Sequence, residues 1–131
     1  VSETLPIRTS EDIVLVRTAV RKAAIGARLG LVDQTKLVTA ASEIARNTLA
    51  YGNGGQVKIE RVDSAAKTGI RLTFEDKGPG IANIELAMSD GWTSGSGMGL
   101  GLGGTRRLMD EFHLASKPGE GTTVIITKWS R

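Results

Sequence analysis

The sequence has no cysteine and a single histidine, His113. Disulfides, thiolate chemistry and cysteine-held zinc are thereby excluded, and a histidine-built metal site has no support. The lack of thiols fits a reducing cytoplasm, the expected location. No apolar run approaches the ~20 residues of a membrane span, and the first residues carry no charged-then-apolar signal pattern, so no membrane association is expected. Aromatic residues make up 4% of the chain, and the net charge of +3 is spread along it. Nucleic acid, which asks for basic patches and stacking rings, is not an expected partner.

What remains is an ordinary soluble composition. The 131 residues, 40% hydrophobic and 24% charged, make one domain over 1–131 with room for a core. Glycine stands out at 17 residues, concentrated in Asp90 to Asp110, DGWTSGSGMGLGLGGTRRLMD. Gly95, Gly97, Gly99, Gly101, Gly103 and Gly104 read as a loop, because glycine inside a helix or strand loses entropy and adds no packing. A glycine loop feeding a helix presents main-chain N–H groups, and an anionic phosphate is the first candidate to meet them.

The rest of the chain supplies the setting for that loop. Thr4 to Arg8 reads as an edge strand, where Pro6 is tolerated. A helix follows, capped by Thr9 or Ser10, with Glu11 and Asp12 in its first turn and Ile13, Val16, Val20, Ala23, Ala24 and Ala27 on one face. Gly30 is its expected stop. A second helix, with Asp33 as expected cap, buries Leu37, Ala41, Ile44, Ala45 and Thr48 or Leu49. Glu43 and Asn47 lie one turn apart on it, beside Arg46. Taken alone, that is a solvated polar face. Arg46 fits a phosphate site or a surface ion pair equally well.

Strands are expected at Gln56 to Val62 and Gly69 to Glu75, the latter alternating Ile70, Leu72 and Phe74 with polar residues, and it runs into Asp76-Lys77-Gly78-Pro79-Gly80. The Asp76 carboxylate at a strand end can accept a hydrogen bond from a ligand amino group, with Gly78 and Gly80 letting a ring approach the backbone. A short helical piece around Ile84 to Met88 precedes the glycines, and a helix from Thr105 to Glu111 follows them. Strands Phe112 to Ser116 and Thr122 to Trp129 close the chain around the turn Lys117 to Gly121. The fold class is α/β: a two-layer sandwich with helices on one face of a mixed, largely antiparallel sheet.

Familiar phosphate loops do not fit the glycine run. It ends Gly103-Gly104-Thr105, without the lysine of a Walker loop. It follows a loop rather than the first strand of a dinucleotide fold. A kinase glycine-rich loop would open a chain about twice as long.

Four motifs in order do fit together: Glu43 to Asn47 on a helix, Asp76 to Gly80 after a strand, Gly97-Met98-Gly99-Leu100-Gly101-Leu102, and Gly119-Glu120-Gly121-Thr122. Each is weak alone, but their order resembles the ATP site of the superfamily of gyrase, histidine kinases, MutL and the heat-shock chaperone ATPase (the Bergerat fold). Ser42 to Asn47, Asp76 to Gly80 and Arg107 to Phe112 in a short chain are most similar to the RsbT-type serine/threonine kinases of bacterial partner-switching and stressosome pathways.

The resemblance implies ATP and Mg²⁺ as cofactors, Glu43 as general base and Asn47 as metal ligand. It implies Asp76 and Thr122 at the adenine amino group, Gly78 and Gly80 lining the base pocket, and Gly97, Gly99, Gly101, Leu102 and Gly103 around the phosphates. Implied partners are a STAS-domain antagonist or scaffold as substrate, a downstream phosphatase or other signalling enzyme, and alternatively a sigma factor held by an anti-sigma kinase. Related kinases often carry an arginine just before Ser-Gly-Met-Gly; here that position is Gly95. Either another basic residue such as Arg106 or Arg107 takes its place, or transfer depends more on the bound partner.

Overall fold

A computed structural model of the chain describes residues 2–80, 88 and 101–131. The expected helical piece at Ile84 to Met88 therefore lies outside the described residues except for Met88, which packs against the core. Trp92, Gly95, Gly97 and Gly99 lie outside them as well.

The chain opens with β1 (Ser2–Ile7) and then α1 (Ser10–Gly26). Thr9 is the cap: its hydroxyl accepts from the Asp12 N–H at 3.2 Å, and the Asp12 carboxylate accepts from the Thr9 N–H at 3.2 Å. This reciprocal box satisfies donors that a helix start leaves open. The stop comes earlier than expected. Arg28 takes a left-handed φ of 66°, and the Leu29 N–H bonds the Ala24 carbonyl at 3.0 Å, closing the last turn. Gly30 instead becomes the N-cap of α2 (Leu31–Ala50), with no side-chain cap, and Asp33 sits inside its first turn.

The expected strands are all present; β1 starts earlier than Thr4 and ends before Arg8, and the others have longer bounds. β2 (Gly55–Ser64) and β3 (Lys67–Asp76) pair down to Ser64 and Lys67, so the polar stretch between them shrinks to a turn at Ala65 and Ala66. Helix α3 covers Gly101–Leu108, and β4 (Glu111–Lys117) and β5 (Gly121–Trp129) complete a five-stranded sheet in the order β1-β2-β3-β5-β4. Each described pairing is antiparallel.

Alternation along the strands places the helices. Val57, Ile59, Ile70, Leu72, Phe74, Val124 and Ile126 are buried against Val16, Val20 and Ala24 of α1 and Leu37, Ala41, Ile44 and Ala45 of α2. The intervening side chains, among them Lys58, Thr73 and Ile125, form a second face with more exposure. This is the expected two-layer α/β sandwich.

Helix α3 corrects the reading of the glycine run. Gly101, Gly103 and Gly104 belong to the helix, which ends at Leu108 rather than Glu111. All three glycines are buried, and the helix packs on α2. Glycine is a poor helix former, so this helix owes more to its packing on α2 than to local preference.

Just beyond α3, Asp110 gathers charges from across the fold. Lys128, 3% exposed, lies 3.5 Å from Asp110 and 3.6 Å from Asp33, and Arg131 reaches Asp110 at 3.0 Å and Asp33 at 3.4 Å. The Asp110 carboxylate also accepts from the Trp129 N–H at 2.8 Å. Burial alone would raise the Asp110 pKa; the Trp129 N–H, Lys128 and Arg131 outweigh it and hold the pKa below the ordinary carboxylate value. A lowered folded pKa stabilises the fold above the unfolded carboxylate range and is lost as pH falls through the folded value. Asp110→Asn should therefore destabilise the protein at neutral pH, by no more than about 1 kcal/mol because solvent screens a carboxylate this exposed. The gap to the parent should narrow in acid, which chemical denaturation across pH measures.

Candidate ATP and phosphotransfer site

The alternation that buries α2 also buries the acid expected on its polar face. Glu43 is 2% exposed. Its Oε1 accepts from Arg46 Nη2 at 2.6 Å, and its Oε2 accepts from the Gly101 N–H at 3.3 Å, across to the start of α3. Both neighbours are donors, which suits an acceptor-only carboxylate. Arg46, half exposed, thus pairs with the candidate base itself.

Asn47 follows one turn later. Its side-chain Nδ2 and Oδ1 are both buried and have no hydrogen-bond partner among the described residues. Leaving such a group unpaired costs about 1–3 kcal/mol, so it calls for a partner from beyond the described residues. The Asn47 main chain is fully used: its carbonyl accepts from the Tyr51 N–H at 2.9 Å and the Gly52 N–H at 3.3 Å, ending α2 in a tight turn.

That turn connects the helix to Asp76. A Cβ on Gly52 would overlap the Asp76 side chain, with Oδ2 at 2.5 Å. A Cβ on Gly78 would lie 2.6 Å from the Gly52 Cα, and one on Gly80, at φ +78°, would overlap the Lys117 carbonyl. The space beside Gly78 and Gly80 is thus filled by protein backbone, so their lack of side chains is demanded by packing within the fold. Gly52, read from sequence only as part of a turn, is the piece that reasoning missed; the cluster Tyr51 to Gly55 was its one signal. Gly52→Ala should cost about 1–3 kcal/mol by overpacking and should weaken nucleotide binding by displacing Asp76. Thermal unfolding and ATP titration of the variant check both.

Asp76 ends β3 directly across from Thr122 of β5. Its Oδ1 accepts from the Gly78 N–H at 2.9 Å, which fixes the carboxylate over the turn. Thr122 Oγ1 lies 2.8 Å from Ser116 Oγ, a neighbour not foreseen, and Ser116 also donates to the Gly121 carbonyl at 3.1 Å. The structure thus joins Glu43, Asn47 and Gly101 at one place and Asp76, Gly78 and Thr122 at another. The α2 C-terminal turn bridges them. Leu102 and Gly103 follow Gly101 in α3 and are buried.

A cleft of about 850 Å³ touches Asp76 and Thr122, but Glu43 and Asn47 do not line it. Gln56, Glu75, Thr123 and Ala115 do, a cross-strand row on the face turned away from the helices. Its volume therefore does not locate the site. Among the other singled-out residues, Lys77, Arg106, Arg107 and His113 are exposed, and the Trp129 Nε1–H donates to Glu111 at 2.7 Å across the sheet.

Residues 32–130, from α2 to the end of β5, match the histidine kinase-, DNA gyrase B- and HSP90-like ATPases. The chain belongs to this family. Within it, the serine/threonine-protein kinase RsbT of Bacillus subtilis is 46% identical over 95% of the chain and 94% of its own length. The expected enzyme class, a serine/threonine protein kinase, is borne out by this relative. An anti-sigma F factor of Thermoanaerobacter is 32% identical over 92% of the chain and 87% of its own. The fold agrees. A structure of RsbU and RsbW domains from Mycobacterium tuberculosis shares it at a TM-score of 0.68 and 21% identity, over 100% of this chain and 32% of that one. The mycobacterial sensor histidine kinase MprB shares it at 0.56 and 19%, over 100% and 99%. No helix among the described residues is long and apolar enough to cross a membrane.

Proposed function

We propose that this member of the ATPase family transfers the γ-phosphoryl group of ATP to a serine or threonine of a STAS-domain antagonist or scaffold. Once released, it binds and activates a downstream regulator such as a phosphatase. The observation that carries the reading is the orphaned Asn47 amide one turn beyond the buried, donor-fixed Glu43.

Asn47 suits Mg²⁺, a hard cation that takes oxygen ligands and usually keeps phosphates and waters around it. Its Oδ1 is the atom that would hold the metal, and no donor among the described residues competes for it. When bound with ATP, Mg²⁺ supplies neutralisation of phosphate charge. Asp76 would accept from the adenine amino group, with Thr122 beside it and Gly78 and Gly80 shaping the turn around the base. Gly97, Gly99, Leu102 and Gly103 would supply main-chain donors to the phosphates, while Gly101, whose N–H is taken by Glu43, would shape the chain around them. Glu43 takes the proton of the attacking hydroxyl. The hydroxyl oxygen then bonds the γ-phosphorus as the bond to the β–γ bridging oxygen breaks, and ADP leaves. Arg46 holds the carboxylate in place for that transfer.

The test is incubation of the chain with γ-labelled ATP, Mg²⁺ and a recombinant STAS-domain protein encoded beside it. Label on a serine or threonine of that protein is expected. ATP binding without transfer to any such protein would reduce the reading to a nucleotide sensor. The identity to an anti-sigma F factor favours a second reading, sequestration of a sigma factor, which stable co-purification of a sigma factor with the chain would establish.

A further inference from the structure

The phosphotransfer reading makes no use of the outer surface of α1. There Val14 and Ile25 are each 57% exposed, on a helix whose other face buries Val16, Val20 and Ala24. Together with Val38 of α2 they form the floor of a groove of about 550 Å³ between the two helices. Arg17, Arg21 and Lys22 stand around that floor, and no aspartate or glutamate among the described residues lines it. None of these three cations has a carboxylate partner among the described residues; Arg21 donates to Gln34 Oε1 at 3.2 Å, and that neutral contact leaves its charge unbalanced. The nearby acids of α1 are engaged elsewhere, Asp12 in the capping box and Glu11 with the Ser10 hydroxyl.

We propose that this groove is a docking site for a partner protein, and that the segment it takes is an amphipathic helix of about three turns whose apolar stripe is flanked by carboxylates. The length follows from the floor. Val14 to Ile25 runs roughly 16 Å along α1 at the rise of an α-helix. Apolar side chains toward the two ends of such a helix meet Val14 and Ile25, with Val38 beside them, and carboxylates between and beside these meet Arg17, Arg21 and Lys22.

A second copy of this chain is a poorer occupant. The exposed charges on the faces of the described helices are predominantly basic, with Arg17 and Lys22 on α1, Arg46 on α2, and Arg106 and Arg107 on α3. None of these helices offers a stripe flanked by carboxylates. The docking reading stands on groove and charge alone, so it is independent of the phosphotransfer assignment.

The probe is a synthetic helical peptide with leucines at successive turns and glutamates on both flanks, compared with the same peptide carrying glutamines or lysines there. Binding to ¹⁵N-labelled protein is followed by amide shifts. The glutamate peptide should shift amides between Val14 and Ile25, and it should bind about tenfold more tightly than the glutamine form, with the lysine form weakest. The double variant Arg17→Glu, Lys22→Glu should erase that preference while ATP binding and the far-ultraviolet circular dichroism stay unchanged, since both side chains are exposed. Val14→Ser should weaken the peptide without altering the charge preference.

Equal binding of all three peptides, no binding, or shifts confined to other surfaces would overturn the proposal. So would uptake of the chain by phosphatidylglycerol vesicles in place of peptide. A dimer in sedimentation that Val14→Ser dissociates, with no peptide bound, would assign the face to a second copy instead.

Discussion

Glu43→Gln should bind ATP with near-parent affinity and lose phosphotransfer by about 10²–10⁴-fold, the range general base catalysis supplies. The substitution keeps the size of a side chain that is 2% exposed and so opens no cavity. It keeps an oxygen for Arg46 but turns an amide N–H₂ toward the Gly101 N–H, two donors facing each other. A modest loss of stability is therefore expected beside the catalytic loss, and the two are separable. Unfolding reports the first, and single-turnover transfer from γ-labelled ATP at saturating nucleotide reports the second. Transfer at the parent rate with normal ATP binding would remove Glu43 as the base.

Asn47→Ala makes an opposite pair of changes. The variant should lose the ATP-dependent rise in melting temperature yet be at least as stable as the parent without nucleotide. Two terms point the same way: an unpaired buried amide disappears, worth about 1–3 kcal/mol, and alanine replaces a weaker helix former, worth about 0.5 kcal/mol. The small cavity left behind offsets part of this. Against that, ligand at 100 times its dissociation constant stabilises the parent by about 2.7 kcal/mol, and this increment should vanish. A residue kept for packing would show the reverse, a less stable apo protein with nucleotide binding intact. Melting curves with and without Mg-ATP distinguish the two.

Local patterns were legible wherever a short window contains the whole cause. Thr9 and Asp12 form their box within one turn, and Ile70, Leu72 and Phe74 alternate because one face of β3 is buried. The turn at Lys117 to Gly121 closes on its own hydrogen bond, Glu120 N–H to the Lys117 carbonyl at 2.9 Å. Boundaries failed where a distant residue intervened. Asp33 reads as a cap by its neighbours, but it is held inside α2 with Lys128 and Arg131 from the other end of the chain. Gly101, Gly103 and Gly104 read as loop by propensity, whereas packing against α2 makes them helix.

The same division runs through the site. Sequence by itself determined the α/β class, the order of the motifs and the family, because each depends on residue types at short spacings. It also placed Glu43 and Asn47 one turn apart, which helix geometry guarantees. Only the tertiary structure decided what surrounds them. Glu43 is a buried acceptor tied to Gly101, 58 positions away, and Asp76 is set by the contact of Gly52 with the turn at Gly78. Burial and partner choice depend on which surfaces meet, and here they meet between segments that no local window contains together.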